Sequence, residues 1–238
     1  RVVETIRASH PDLPICLFGL YAAMGHANTL GKLVDRVIAG EYVKPLVEWV
    51  DGLDKLTAGE QVTPDTSPMV ELGRHHIGIP VRNMLPTLDR YARLVLDGEE
   101  HLAGYVEASH GCVHRCRHCP VPVIYDGRIR IVDHDSVLVD IAQLVDAGAK
   151  HITFGDPDFL NGPHHSLKVA RSMHDRFGEL TFDCTTKVEH ILRHRDIWDE
   201  MARYGCLFVI SAFESTNDAI LTRLDKGHTT AEAGSAVS

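Results

Sequence analysis

The sequence has no cluster of lysine and arginine residues. Its 238 residues include 24 lysines and arginines against 33 aspartates and glutamates, which gives a formal net charge of -9. Proteins that bind nucleic acid or anionic membranes need clustered positive charge to meet phosphate groups. We therefore expect neither nucleic acid nor a membrane as a partner.

Long apolar runs are also missing. The longest, at residues 13–24 and 207–213, are interrupted or too short to cross a bilayer. No positively charged stretch with an apolar core opens the chain, as a signal peptide would require, so we expect a cytoplasmic protein. Because the chain begins at Arg1 without a methionine and stops just after a predicted helix start, we also expect it to be a piece of a longer protein.

The first 103 residues divide into two regions whose sequence patterns predict different structures. Apolar runs at residues 13–19 and 34–38, and helical spacing of apolar residues over 45–53, indicate strand, helix, strand, helix. This order is typical of the end of a Rossmann-like α/β domain, which we place at residues 1–53. Residues 54–103 begin with a stretch rich in proline and glycine that has no sustained period, and we predict a linker and a helix there.

Residues 104–238 predict a regular repeat of strands and helices. Short apolar runs alternate with segments that carry apolar residues on one helical face. Four strands joined by single helices are typical of right-handed βαβ units and indicate half of a barrel or more, with its chemistry at the carboxyl ends of the strands. The predicted strands cover residues 105–108, 151–154, 180–184 and 207–212, and the predicted helices cover residues 136–147, 165–177, 188–204 and 217–224.

Three of the six cysteines lie within eight residues, directly after the first of these strands. Cys112, Cys116 and Cys119 are separated by three and then by two residues. Thiolates are the soft ligands that iron–sulfur clusters prefer, and three of them on a four-iron cluster leave one iron open to bind a substrate or cofactor. We expect the neighbouring positive side chains, such as Arg115 and Arg117, to lower the pKa values of the thiols.

A zinc site is the alternative interpretation, with His110, His114 or His118 as the fourth ligand. Zinc ligands usually come as two separated pairs, and the sequence has no second pair of closely spaced cysteines. Other histidines, such as His190 and His194, occupy scattered helical positions, where we expect exposed polar residues. On this alternative, the chain is a non-catalytic zinc-binding or metal-sensing α/β protein.

The motif Cys112-x-x-x-Cys116-x-x-Cys119, after the first strand of a β/α repeat, resembles the signature of the radical S-adenosylmethionine (SAM) superfamily. The resemblance implies a partial (β/α)6 radical SAM barrel over residues 104–238, preceded by the Rossmann-like domain. It also implies that the three cysteines hold a [4Fe–4S] cluster whose open iron binds the amino and carboxylate groups of SAM. The residue before the third cysteine is usually aromatic in this family and packs near the adenine; here it is His118, which keeps a ring.

Two further segments agree with this resemblance. At the end of the second strand, Gly155, Asp156 and Asp158 resemble the family segment that holds the SAM amino group, with Asp156 as the first choice for this contact and Asp158 as the second. At the end of the fourth strand, Glu214 lies in a Glu-Ser pair followed by a helix and a Lys-Gly turn, which is similar to many cobalamin-type members. The resemblance places Glu214 near the ribose or methionine part of SAM. Both segments also suit ordinary turns and helix starts.

The resemblance implies an enzyme that cleaves SAM reductively and generates a carbon radical. One branch of the family carries an N-terminal cobalamin-binding domain, to which residues 1–53 correspond, and this implies methyl transfer or a rearrangement. Transfer of the aminocarboxypropyl part of SAM to arsenic is a minor alternative. The implied cofactors are the [4Fe–4S] cluster, SAM and cobalamin, and the implied partners are a small-molecule substrate and an electron donor such as flavodoxin or ferredoxin.

Overall fold

The computed structural model describes residues 1–25, 33–57, 69–74 and 76–237. The chain divides into two compact units. The first contains Arg1–His75 together with Val123–Asp126, and the second contains His76–Pro122 and Gly127–Ser238. Each unit has its own parallel sheet.

The first unit is built on a parallel sheet of three short strands. Strands β1 (Cys16–Phe18), β2 (Arg36–Gly40) and β3 (Met69–Glu71) pair in that order, and all five residues of the central strand are buried. The described part of this unit also contains helices α1 (Val2–Ser9) and α2 (Val43–Thr57). The parallel pairing agrees with the α/β character that the sequence predicts for residues 1–53.

Strand β3 lies inside the stretch that the sequence predicts as a linker. It pairs with β2, where Gly40 has a positive φ of 77°. A Cβ atom at Gly40 would lie 2.2 Å from the carbonyl oxygen of Glu71, so only glycine permits this close approach of the two strands. The linker prediction is wrong at β3 because so short a strand is defined by its pairing partner, which local periodicity does not reveal.

Residues 76–103, all of them described, contain no α-helix, although the sequence predicts one in this region. They lead instead into an antiparallel hairpin with a two-residue turn at Asp97 and Gly98, both of which have positive φ. Asp-Gly between two strand-forming runs is a strong signal for such a turn, so the sequence contained the information. The elements here are 3₁₀ turns at Arg82–Met84 and Leu88–Arg90 and strands β4 (Arg93–Leu96) and β5 (Glu99–Val106).

The second unit is built on four parallel strands that form a partial barrel. Strand β5 is followed in the sheet by β8 (His151–Phe154), β9 (Thr181–Thr185) and β10 (Cys206–Ile210), and β4 lies antiparallel at the other edge of β5. The predicted β/α repeat is confirmed. A separate antiparallel ribbon pairs β6 (Ser109–Gly111) with β7 (Ile129–Ile131).

The helices of the repeat follow the predicted order. None of the described helices is both long and apolar enough to cross a membrane. They are α3 (Val121–Tyr125), α4 (His134–Asp146), α5 (Pro163–Phe177), α6 (Val188–Arg193), α7 (Trp198–Arg203), α8 (Asp218–Leu224) and α9 (Thr230–Val237).

The helix predicted over residues 188–204 is broken in two. A 3₁₀ turn at Arg195–Ile197 separates α6 from α7. The indole N–H of Trp198 donates a hydrogen bond to the carbonyl oxygen of Ile191 over 3.1 Å, which fixes the bend. No proline or glycine marks this break, so the periodicity alone predicts one continuous helix.

Gly104 in β5 gives a first prediction about the core between sheet and helices. A Cβ atom at this position would lie 2.7 Å from Leu144 Cδ1 and 3.1 Å from Ile152 Cδ1. We expect Gly104→Ala to lower the free energy of unfolding by ~1–3 kcal/mol, because the overpacked core must shift. Chemical denaturation measures this change. Gly234→Ala is the matched control, because a Cβ atom there meets nothing within 4 Å, and an equal loss in both variants would contradict the steric explanation.

Candidate functional site

The three cysteines lie in a loop that a small antiparallel ribbon closes. Strand β6 ends directly before Cys112, and β7 begins at Ile129. Gly111 has a positive φ of 78°, which lets the chain turn out of the ribbon. The loop between β6 and β7 therefore carries all three thiols, and it follows the first parallel strand as the sequence predicts.

The cysteines are free thiols, and two of them are well shielded from solvent. Cys112 is 8% exposed and Cys116 is 7% exposed, whereas Cys119 is half-buried. The N–H of Cys119 donates to the carbonyl oxygen of Cys116 over 3.1 Å, and the N–H of Arg117 donates to the carbonyl oxygen of Leu224 over 2.8 Å. These bonds give the loop a compact shape and attach it to the end of α8.

The three cysteine sulfurs are not gathered closely enough for one metal ion to bind all of them. Among the described residues, the only group of three metal-binding side chains whose ligand atoms all lie within 4.8 Å of one another contains none of these cysteines. A single zinc ion binds thiolates at ~2.3 Å, which would bring their sulfurs to about 3.8 Å from one another. In a [4Fe–4S] cluster each thiolate binds a different iron, which requires wider spacing. The donor set therefore fits the cluster.

Cys112 does not have the lowered pKa that the sequence predicts for these thiols. Burial raises its pKa to about 11. The hydrogen bonds with the N–H of His114 and the side chain of Asn161 act in the opposite direction, while the negative charge of Asp158 raises the pKa further. The prediction is wrong at this cysteine because loss of hydration on burial outweighs the hydrogen bonds that favour the thiolate.

Asn161, which the sequence analysis did not single out, holds the start of the cysteine loop. Its Oδ1 accepts a hydrogen bond from the N–H of Val113 over 3.2 Å and lies 3.8 Å from Cys112 Sγ. Its Nδ2 donates to the carbonyl oxygen of Gly111 over 3.4 Å. A side-chain amide can bridge a donor and an acceptor in this way. The available signal was its position just after Asp158, at the end of a predicted strand.

We expect Asn161→Ala to reduce the iron retained by the protein, because the loop start loses hydrogen bonds worth ~0.5–1.5 kcal/mol each. Iron per chain after anaerobic reconstitution and gel filtration measures this effect. Asn217→Ala is the matched control, since it removes an amide that caps α8. Equal iron in the Asn161 variant and the unmodified protein would show that Asn161 does not support the loop.

Asp156 is buried beneath the start of the cysteine loop. It is 2% exposed, and its carboxylate accepts hydrogen bonds from the N–H of Ala108 at 2.9 Å and the hydroxyl of Ser109 at 2.5 Å. Burial raises its pKa to about 6, against the lowering effect of these two hydrogen bonds. Both oxygens have partners inside the protein, so Asp156 positions the chain that leads into β6. Its contact with the SAM amino group stays a prediction.

Gly155 lies beneath the aromatic ring of Tyr105. A Cβ atom at Gly155 would come within 1.9 Å of this ring, and the tyrosine hydroxyl lies 3.4 Å from the Gly155 carbonyl oxygen. A neighbour within the protein therefore explains why the position has no side chain. The predicted close approach of SAM to this glycine stays a prediction.

Asp158 has different hydrogen-bond partners from Asp156. Its Oδ1 accepts hydrogen bonds from the N–H of Leu160 at 3.0 Å and the hydroxyl of Thr186 at 2.7 Å. Its Oδ2 lies 2.9 Å from His190 Nδ1 and 3.3 Å from His114 Nε2. His190 is 3% exposed, so the expectation of an exposed helical histidine is wrong, because it packs against His114 of the cysteine loop. Contact between Asp158 and SAM stays a prediction.

Glu214 and His118, both predicted as neighbours of SAM, lie side by side. Glu214 follows β10 and has a φ of 64°, which is uncommon for a residue other than glycine. Its Oε1 lies 3.1 Å from His118 Nε2 and accepts a hydrogen bond from Lys226 Nζ over 3.1 Å. Burial raises the pKa of Glu214, but Lys226 and His118 lower it by more, so the carboxylate stays ionised. The end of β10 thus contacts the residue before the third cysteine.

A family model of the radical SAM superfamily matches residues 106–237, which is more than half of the chain. The chain therefore belongs to the radical SAM superfamily. The match includes all three cysteines of the loop and the four parallel strands' carboxyl ends. No curated protein sequence matches the chain.

Solved structures of two enzymes resemble the whole chain in fold. The cobalamin-dependent SAM radical enzyme OxsB, with aqua-cobalamin and SAM bound, has a TM-score of 0.62 at 15% identity. The radical SAM methyltransferase TsrM from Kitasatospora setae, with tryptophan and a SAM analogue, has a TM-score of 0.69 at 16% identity. A second TsrM structure, with cobalamin and a [4Fe–4S] cluster, has a TM-score of 0.66 at 17% identity. Each comparison covers 99% of this chain, which spans 40% of OxsB and 49% of TsrM.

Proposed function

We propose that this chain contains the SAM-cleaving site of a radical SAM enzyme, with Cys112, Cys116 and Cys119 as the ligands of a [4Fe–4S] cluster. The observation that carries the proposal is the cysteine loop, which holds three free thiols between the paired strands β6 and β7, directly after the first parallel strand. Three protein thiolates leave one iron open for SAM. When bound, the cluster supplies the electron that breaks a carbon–sulfur bond of SAM and yields a carbon radical.

The chain's own residues hold the loop at both ends. Asn161 ties the first cysteine to the end of β8, and Glu214 ties His118 to the end of β10. Glu214 keeps its negative charge beside Lys226, and a carboxylate in this position accepts hydrogen bonds from the ribose hydroxyls or the amino group of SAM. Burial of Cys112 and Cys116 shields the site from water and oxygen.

The products formed from SAM test this function. The SAM sulfur carries adenosyl, methyl and aminocarboxypropyl groups, so the product shows which bond has broken. We expect the reconstituted protein to consume SAM only with dithionite, and to release 5′-deoxyadenosine, or S-adenosylhomocysteine if it transfers a methyl group. Methylthioadenosine would indicate aminocarboxypropyl transfer instead. Intact SAM in a protein with its full iron and sulfide would contradict the proposal.

A second proposal concerns the first unit and the reaction type. We propose that the whole protein binds cobalamin and catalyses methyl transfer or a rearrangement. Two observations support this: the parallel sheet of the first unit, and the likeness of the whole chain to structures described as cobalamin-dependent or cobalamin-bound. We expect the whole protein, produced with cobalamin and purified anaerobically, to retain it as seen by visible absorbance. Iron-loaded protein without cobalamin would contradict this part alone.

A further inference from the structure

Three metal-binding side chains meet behind the cysteine loop, at a place that the proposed cluster does not use. Asp158 follows β8, His190 lies on α6 after β9, and His114 lies between the first two cysteines. Their ligand atoms all lie within 4.8 Å of one another. Asp158 is 0% exposed, His190 is buried, and the side chain of His114 is mostly buried.

The contacts inside this group are incomplete as hydrogen bonds. His114 Nε2 and His190 Nδ1 approach Asp158 Oδ2 to 3.3 and 2.9 Å, yet neither nitrogen makes a hydrogen bond with favourable geometry. A buried polar atom without a partner costs ~1–3 kcal/mol. Two such atoms facing one carboxylate oxygen indicate that something else satisfies them.

The Asp158 carboxylate is held in an orientation that suits cation binding. Its Oδ1 accepts hydrogen bonds from the hydroxyl of Thr186 and the N–H of Leu160, which orient the group. Its Oδ2 faces the two imidazoles and accepts one long hydrogen bond of 3.4 Å from the N–H of Lys187. Asp158 is 0% exposed, and a carboxylate buried this deeply needs a positively charged partner or a metal ion beside it.

We propose that His114 Nε2, His190 Nδ1 and Asp158 Oδ2 bind a divalent transition-metal ion, with zinc as the test ion. Ligands at ~2.0–2.2 Å from one ion lie about 3 Å apart, as the nitrogen–oxygen distances here do. Two imidazoles and one carboxylate are a common donor set for such ions. The ion joins the cysteine loop to the segments after β8 and β9, and so it holds the loop in place.

Glu189 lies near His114 and also pairs with Lys187 and Arg193; with the ion bound, we expect it to become the supporting carboxylate that metal-bound histidines usually have. Its Oε2 lies 3.7 Å from His114 Nδ1, the ring nitrogen that faces away from Asp158. Carboxylates in this position orient the imidazole, and their loss typically weakens metal binding by ~10–100-fold. Glu189 is partly exposed, so its replacement by glutamine tests the site with little disturbance of the core.

The experiment is metal analysis of the anaerobically reconstituted protein after incubation with one equivalent of zinc and gel filtration. We expect about one zinc ion per chain in addition to the iron of the cluster. Asp158→Asn and His190→Gln should lose the zinc and keep most of the iron. His164→Gln, which alters an exposed histidine on α5, should keep both.

Cys116→Ala separates the two sites, because it should lose iron and retain zinc. Circular dichroism shows whether Asp158→Asn and His190→Gln fold. If they do not, a zinc titration of Glu189→Gln provides the test, and we expect its zinc affinity to fall by ~10–100-fold. Three results would overturn the proposal. The iron-loaded protein could bind no zinc, or Asp158→Asn, His190→Gln and Glu189→Gln could all leave zinc binding unchanged. The third such result is that Cys116→Ala loses zinc together with iron.

Discussion

Replacement of Cys112, Cys116 or Cys119 by alanine is expected to abolish cluster assembly and to reduce reductive cleavage of SAM to background. In the proposed cluster each thiolate would bind a different iron, so loss of one of the three protein ligands would leave that iron without a protein donor. The loop itself should survive, because its closure depends on backbone pairing of β6 with β7. Iron and sulfide per chain, and SAM consumption with dithionite, measure the two effects.

Cys184 and Cys206 are the matched controls for this experiment. They lie on the neighbouring strands β9 and β10, and a hydrogen bond between their thiols, together with burial, raises the pKa of Cys184. Both thiols therefore have a hydrogen-bond partner within the sheet. Alanine at either position should leave the iron content and SAM cleavage intact. Loss of the cluster in these variants but not in the loop variants would refute the ligand assignment.

The second large effect is expected at Glu214. Glu214→Gln should weaken SAM binding by about 10- to 100-fold while sparing the iron, because a charge-assisted hydrogen bond is worth ~1.5–3 kcal/mol. Anaerobic calorimetry with SAM, alongside iron analysis, measures both quantities. The amide keeps the size of the side chain, so the change isolates the charge.

Glu214→Gly separates the carboxylate from the strained backbone. The left-handed conformation of Glu214 costs a non-glycine residue free energy, which glycine avoids. If the carboxylate contacts SAM, the glycine and glutamine variants should bind SAM equally weakly, although glycine relieves the strain. Normal SAM affinity in both variants, or loss of iron in both, would assign Glu214 a structural role through Lys226 and His118.

The parts of the fold that follow from local pattern were predictable. The parallel repeat of residues 104–238 follows from short apolar runs that alternate with amphipathic helices, and the cysteine motif is contiguous in sequence. Strand β3 was not predictable in this way, because its identity depends on pairing with β2 across a long stretch of chain. The hairpin turn at Asp97 and Gly98, by contrast, has a local signal, because Asp-Gly favours a two-residue turn between strands.

The roles of the two aspartates illustrate what a sequence cannot decide. Asp156 and Asp158 are two residues apart at one strand end, and both suit a turn or a ligand contact. In the structure, Asp156 accepts hydrogen bonds from Ala108 and Ser109, whereas Asp158 contacts His114 and His190. Those partners come from segments distant in sequence, and His190 shows no local sign that the cysteine loop covers it.

We propose above all that the three cysteines hold a cluster whose open iron binds SAM. Electron paramagnetic resonance of the anaerobically reconstituted and dithionite-reduced protein, with and without SAM, tests it most directly. We predict the signal of one reduced [4Fe–4S] cluster per chain, and a change in that signal when SAM is added. A protein that gives no cluster signal after reconstitution, or a cluster signal that SAM leaves unchanged, would contradict the account.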